Sequence, residues 1–344
     1  MNVKEQSEMR RKRAIVIAVA LGLLGAGVVL FSLNTGSIRL SPSSVMKALF
    51  GYGSPEETMI LYEYRMPRII VTLLAGVGLG VAGAVFQGIS RNSLADPGIL
   101  GIHAGAAFGL MIYVSFFRTL EGPATLMIPL FTLLGGTGIA IVIFLLAYDR
   151  YRGLMPIRLL LVGIAIEAGF SSITLLLSLR LDENTYAFAA RWLAGNVWGR
   201  DWIHVWTLLP WICLFVPLIF YRSRLLDLFT LGDEMAAGLG SAVNRNRFVL
   251  LMFAIALSCA SVAMVGGIGF IGLAAPHIAR KLVGAQHRYL LPICAMVGLV
   301  ILVTADTIGR SFFQPNAIPA GVVVAAIGGP YFLYLLFIKK KTSL

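Results

Sequence analysis

Long uncharged runs alternate with short charged segments along the whole chain. Ala14 to Leu33, Ile69 to Phe86, Gly98 to Phe117, Pro123 to Tyr148, Leu159 to Leu179, Trp202 to Tyr221, Tyr289 to Ile308 and Ile318 to Ile338 are apolar, with Glu167 and Asp306 as acidic exceptions. Each is close to the roughly 20 residues that a helix needs to cross a hydrocarbon core, so each predicts one span. A ninth run, Phe248 to Ala279, would reach about 48 Å as one helix, more than one crossing can use. Gly266 and Gly267 are adjacent residues that tolerate positive φ, and the run is expected to reverse there. The stretch "GGIGFIGLAAPHIARK" (266–281) then reads as a turn and a short helix heading back across the membrane. Such a helix needs less than full thickness where one end abuts protein or water. The expected fold is an all-α membrane protein of ten transmembrane helices.

Charge placement tests that division. Lys4, Arg10, Arg11, Lys12 and Arg13 open the chain and Lys339, Lys340 and Lys341 close it. Positive segments stay in the cytoplasm, so both ends are expected inside, which requires an even number of crossings. With ten spans, 19 of the 28 Lys and Arg residues fall inside; with nine, the closing lysines face outward. The expected organisation is a basic cytoplasmic segment (1–13), a single transmembrane domain (14–338) with a cytoplasmic loop at 222–247, and a basic cytoplasmic tail (339–344). The chain is 58% hydrophobic and 13% charged, against about 25% charged in soluble domains. Its net charge of +12 then reflects topology and contact with anionic lipid rather than a nucleic-acid surface. Cys213, Cys259 and Cys294 all lie in predicted spans, which implies no disulfide framework.

Small residues recur at helical spacing, Gly76, Gly80, Ala84 and Gly88 in the second span and Gly101, Gly105 and Gly109 in the third. They predict close helix packing. No Gly precedes a Lys, so a phosphate-cradling Walker loop is absent. His103, His204, His277 and His287 lack partners at metal-ligand spacing, and no catalytic triad or carboxylate pair is arranged along one element. An enzyme, a cofactor site and a resident metal site are not expected.

Three stretches carry a resemblance: "YRMPRIIVTLLAGVGLGVAGAVFQGISRNSLADPGILGIHAGA" (64–106), "LGDEMAAGLG" (231–240) and "GGIGFIGLAAPHIAR...HRYLLP" (266–292). With "ADTIGR" (305–310) and "IPAGVVVAAIGGPYFLYLL" (318–336), the chain resembles the FecCD family along nearly its whole length. These are permease subunits of binding-protein-dependent ABC importers for iron-siderophores and vitamin B12. The resemblance implies a permease paired with a second, identical or related permease, two separate ABC ATPase subunits and an extracytoplasmic binding protein. It also implies that Gly232, Asp233, Glu234, Ala237, Gly238, Leu239 and Gly240 form short helices docking into the ATPase. Independently, Asp233 and Glu234 suit a helix amino terminus, while Gly238 and Gly240 suit a sharp turn. By the same resemblance Arg65, Arg68 and Arg310 match positions that pair with acids on the binding protein, as exposed cations steering it.

Four further residues raise structural questions. Asp96, followed by Pro97, is expected to cap the third span, and Asp306 to pair with Arg310 one turn later. His277 is expected to bond a neighbouring helix. Glu167 is a departure from the family pattern, expected to face the pore or another helix. The expected cargo is a ferric siderophore or related chelate, moved across the cell membrane. Cobalamin or haem is the alternative within the family, and a proton-coupled transporter using Glu167 lies outside it. A channel has less support, since no ring of charge or filter-like repeat is visible.

Overall fold

A computed structural model describes residues 3–36, 38, 40–98, 101–117, 124–150, 153–314 and 316–341. At 3, 4, 6, 7, 124, 125 and 334–341 it describes backbone alone, so the side chains of Lys4 and of the closing lysines lie outside the described set. Helix α1 (Val3–Asn34) leads into two short helices, α2 (Pro42–Leu49) and α3 (Pro55–Met59). Ser41 and Ser54 cap these by accepting the Ser44 and Glu57 amides, and Pro42 and Pro55 occupy the first helical position. A π-turn, Ile60–Arg65, then runs into α4 (Met66–Ser90).

Helices α5 (Ile102–Phe116) and α6 (Ala124–Ala147) follow, then a two-residue hairpin, β1 (Tyr148–Asp149) against β2 (Gly153–Leu154). After α7 (Pro156–Ser178), α8 (Glu183–Leu193) and α9 (Trp202–Tyr221) come two short helices, α10 (Ser223–Thr230) and α11 (Asp233–Gly238). The chain closes with α12 (Val243–Val265), α13 (Ile271–Val283), α14 (His287–Ser311) and α15 (Ala320–Lys341).

Every predicted span position carries a helix, and α12 stops at the predicted glycine turn. Gly266 has φ +80, but the second left-handed residue is Phe270 at φ +67 rather than Gly267. The Gly267 amide reaches the Trp192 carbonyl (3.4 Å), and a Cβ on Gly267 would lie 2.8 Å from the Leu193 oxygen. The turn is thus fitted against the end of α8. Seven of the described helices are long and apolar enough to cross a membrane. Of the other three predicted spans, α5 and α13 have 15 and 13 residues, roughly 23 and 20 Å, short of a 30 Å core. The apolar part of α15 described with side chains also falls below that length, covering Ala320–Leu333.

Helices α4, α12 and α14 form the centre. In α4, 78% of the most apolar window is buried, against 6% in α1 and 17% in α7. The glycine stripes explain how the central helices approach. A Cβ on Gly76 would lie 2.6 Å from the Gly298 carbonyl of α14, and one on Gly80 would collide with the Cys294 carbonyl. Gly105 and Gly109 likewise meet the backbone of α6 at Gly135 and Phe131. Where lipid supplies no hydrophobic drive between helices, such backbone contact provides the packing. Gly101 lies outside the α5 stripe; it is the left-handed residue that starts the helix, at φ +78.

Candidate functional site

The 222–247 segment folds as predicted into short helices, but its hinges differ from expectation. Helix α11 begins at Asp233 and is bracketed by Gly232 (φ +106) and Gly240 (φ +83). Gly238 is its last helical residue, so the sharp turns fall to Gly232 and Gly240. Glu234, Ala237, Gly238 and Leu239 are exposed, together with the apolar Leu231 and Met235. No heavy atom lies within 4 Å of a Cβ built on Gly232, Gly238 or Gly240. The outer side of this connector is open.

Its inner side is tied down by residues that the sequence reading did not single out. Arg247 of α12, fully buried, donates from Nη1 to the Leu154 carbonyl (2.9 Å) and from Nη2 to Asp233 Oδ1 (2.7 Å). Arg91, just past the end of α4 in a left-handed conformation, donates to the Phe229 carbonyl (2.6 Å) and to Asp233. Partial burial raises the Asp233 carboxyl, but the hydrogen bond and charge of Arg247, with Arg91, outweigh it and hold the group below its ordinary 3.8. Asp227 of α10 supplies a second tie, its Oδ1 accepting from the His287 amide (2.9 Å) and lying 2.7 Å from His287 Nδ1. The connector is thereby joined to α4, α12, α14 and the β-hairpin.

At the opposite end of α4 the structure gathers Arg65, Arg68 and Arg310, but not as exposed cations. Arg65 is buried and donates to the carbonyls of Leu33 and Ile38. Arg310 donates to Thr35 O (2.5 Å), Ser32 O (2.8 Å) and Ser32 Oγ (2.8 Å). Arg68 grips Asp306 with Nη2 at 2.6 Å and Nε at 3.1 Å. Asp306 therefore pairs with Arg68 of another helix rather than with Arg310, because the antiparallel packing of α4 on α14 brings that guanidinium closer. A fourth cation, Arg200, contacts His204 Nε2 (3.3 Å) and feels the charge of Arg68. The expectation of three free steering charges is corrected: backbone oxygens and Asp306 already accept from these guanidinium groups.

Asp96 does not cap α5. Its Oδ2 accepts the Gly98 amide (3.0 Å) in a local turn, and a Cβ on Gly272 would lie 2.5 Å from its Oδ1, so the carboxylate rests against the start of α13. His277 meets α15 through an edge-on contact with the Tyr331 ring at 5.9 Å. Glu167 is partly exposed on α7, and no described arginine pairs with it.

The sequence pattern of the FecCD transport family matches residues 21–338. The chain belongs to the FecCD transport family. This membership and the seven apolar helices make it a multi-pass membrane protein. Among relatives, it is 42% identical to the iron(3+)-hydroxamate import system permease protein FhuG of Bacillus subtilis, covering 94% of this chain and 97% of that one. It is 40% identical to the Fe(3+)-citrate import system permease protein YfmE of the same organism, over 96% and 98%. A solved inward-facing metal-chelate type ABC transporter has a similar fold, with a TM-score of 0.81, 29% identity and coverage of 94% of this chain and 99% of that one. PsaBC from Streptococcus pneumoniae shares the fold at a TM-score of 0.57 and 17% identity, over 84% and 94%.

Proposed function

We propose that this chain is the permease subunit of a binding-protein-dependent ABC importer that moves a ferric siderophore or related iron chelate inward, driven by ATP hydrolysed on separate subunits. The connector carries the reading. An open face of Met235, Gly238 and Leu239 lies outward, while Asp233 on the same short helix is held by arginines from α4 and α12. A partner pressing on that face moves the spans through Asp233. Relatives named as permeases for ferric hydroxamate and ferric citrate support the cargo class.

In this reading the connector and both chain ends lie in the cytoplasm, residues 14–338 act as one permease domain and ten helices line up across the membrane. The ATPase docks on Gly232 to Gly240, and a second permease packs on the sparsely covered side of the bundle. The binding protein docks at the Arg65, Arg68 and Arg310 end. There the arginines act by fixing the segment from Ser32 to Ile38 that the partner meets.

The test is uptake of radioactive iron chelates into vesicles holding the assembled importer. ATP-dependent uptake supports the reading, and uptake that follows a proton gradient without ATP overturns it. Cobalamin outcompeting every iron chelate overturns the cargo assignment. Gly238→Phe should abolish ATP-driven uptake while the protein still reaches the membrane. Gly240→Phe is the less clean variant, because left-handed backbone strains any side chain there.

A further inference from the structure

Helix α7 is nearly as uncovered as α1, but its apolar stretch carries one charged residue. Leu161, Ile164, Ala168, Gly169 and Ser172 are open, and a Cβ on Gly169 would touch nothing within 4 Å. Midway between Pro156 and Ser178 stands Glu167, partly exposed. No described residue hydrogen-bonds or ion-pairs its carboxylate. Arg158, the other charged residue of α7, is engaged with Asp149 at 3.4 Å.

An unpaired carboxylate at mid-helix costs at least about 2.5 to 3.5 kcal/mol against hydrocarbon, so the flank of α7 that holds Glu167, between the buried Gly163 and Thr174 and the open face, borders water. A water-filled path bordered by Glu167 carries a negative potential. Resting on the proposed function, we infer that Glu167 selects the cargo by charge, passing neutral or cationic ferric chelates in preference to anionic ones. Three monoanionic hydroxamates neutralise ferric iron, whereas catecholates and citrate leave anionic complexes. The cargo class is therefore the ferric trihydroxamates. Overall similarity cannot make this choice, since the hydroxamate and citrate relatives are 42% and 40% identical.

The probes are a linear ferric trihydroxamate with a terminal ammonium, its neutral acetylated form and its anionic succinylated form. Uptake is measured in the assembled importer with one saturating binding protein. Glu167→Gln should lower the ratio of cation to anion rates about fivefold, and Glu167→Lys should reverse it. An unchanged ratio, whatever the absolute rate, overturns the inference. A second measurement keeps Glu167 in place. Ala168→Cys in a Cys213→Ser background should react about fivefold faster with a cationic than with an anionic water-soluble thiol reagent. Equal rates, or no reaction with either reagent, overturn the inference. Failure of the unaltered importer to take up any of the three chelates while another ferric chelate enters overturns the assignment to trihydroxamates; failure with every iron chelate would instead remove the proposed function, leaving the thiol measurement to judge Glu167 alone.

Discussion

Arginine clusters stand at both ends of α4, and they hold different things. At one end Arg65 and Arg310 donate to backbone carbonyls and Arg68 to Asp306, whose side chain is 4% exposed. At the other, Arg91 and Arg247 converge on Asp233, whose side chain is 49% exposed and sits on a helix of six residues. The first cluster immobilises main chain on several sides at once, and its acid is out of reach of solvent. The second holds a small element chiefly through one side chain and leaves its outer face open. The proposed function needs both: a fixed frame, and a connector that a partner can displace without unfolding it.

The strongest challenge to this contrast is Asp306→Ala, which strands the buried Arg68 charge. Removal of one partner of a buried pair costs about 3 to 5 kcal/mol, so thermal unfolding in detergent should show a severe loss. The pair Arg68→Met with Asp306→Leu should recover most of it, and no recovery would mean that the site is not a closed ion pair. Arg247→Met should be milder, about 1 to 3 kcal/mol, because it orphans the Leu154 carbonyl while Asp233 keeps Arg91 and water. Its main effect should be ATP hydrolysis without uptake; coupled transport at the normal rate would show that Asp233 is not the joint.

Gly238→Phe should change stability by no more than about 0.5 kcal/mol, since the added ring meets nothing in the chain. Loss of transport there reports on a partner alone, and normal transport would remove the connector from the docking surface. The smallest effect concerns pH. Because the folded Asp233 carboxyl lies below its ordinary 3.8, the ion pair contributes fully above that value and is lost as pH falls through the lowered one. The stability difference between the wild type and Asp233→Asn should therefore hold from pH 8 to about pH 5 and shrink only in stronger acid. A difference that disappears near pH 6 would contradict the arginine contacts.

The positions of the helices, the reversal at Gly266 and the existence of a connector at 222–247 were legible along the chain. So was the packing use of Gly76, Gly80, Gly105 and Gly109. Gly232 to Gly240 were legible as a short segment bounded by glycine turns, but not what holds them. Arg91 and Arg247 meet Asp233 across 142 and 14 positions, and no periodicity marks such a pair. The pairing of Asp306 shows the same limit. Its neighbour at helical spacing is Arg310, yet its partner is Arg68, 238 positions away. Asp96 was misjudged for a related reason, since α5 starts at Ile102 with Gly101 in the cap position, beyond the reach of a cap at Asp96.

The sequence by itself determined which segments are apolar enough for a bilayer, where glycine permits reversal or close approach, and how the charges divide along the chain. These follow from composition and local sterics, which are properties of contiguous residues. Tertiary structure alone decided which charges are paired and which stay open. That outcome depends on the antiparallel contact of α4 with α14 and on the place where α12 meets the connector. Burial makes an unpaired charge expensive, so the partner that packing delivers, however remote in sequence, fixes what each arginine does.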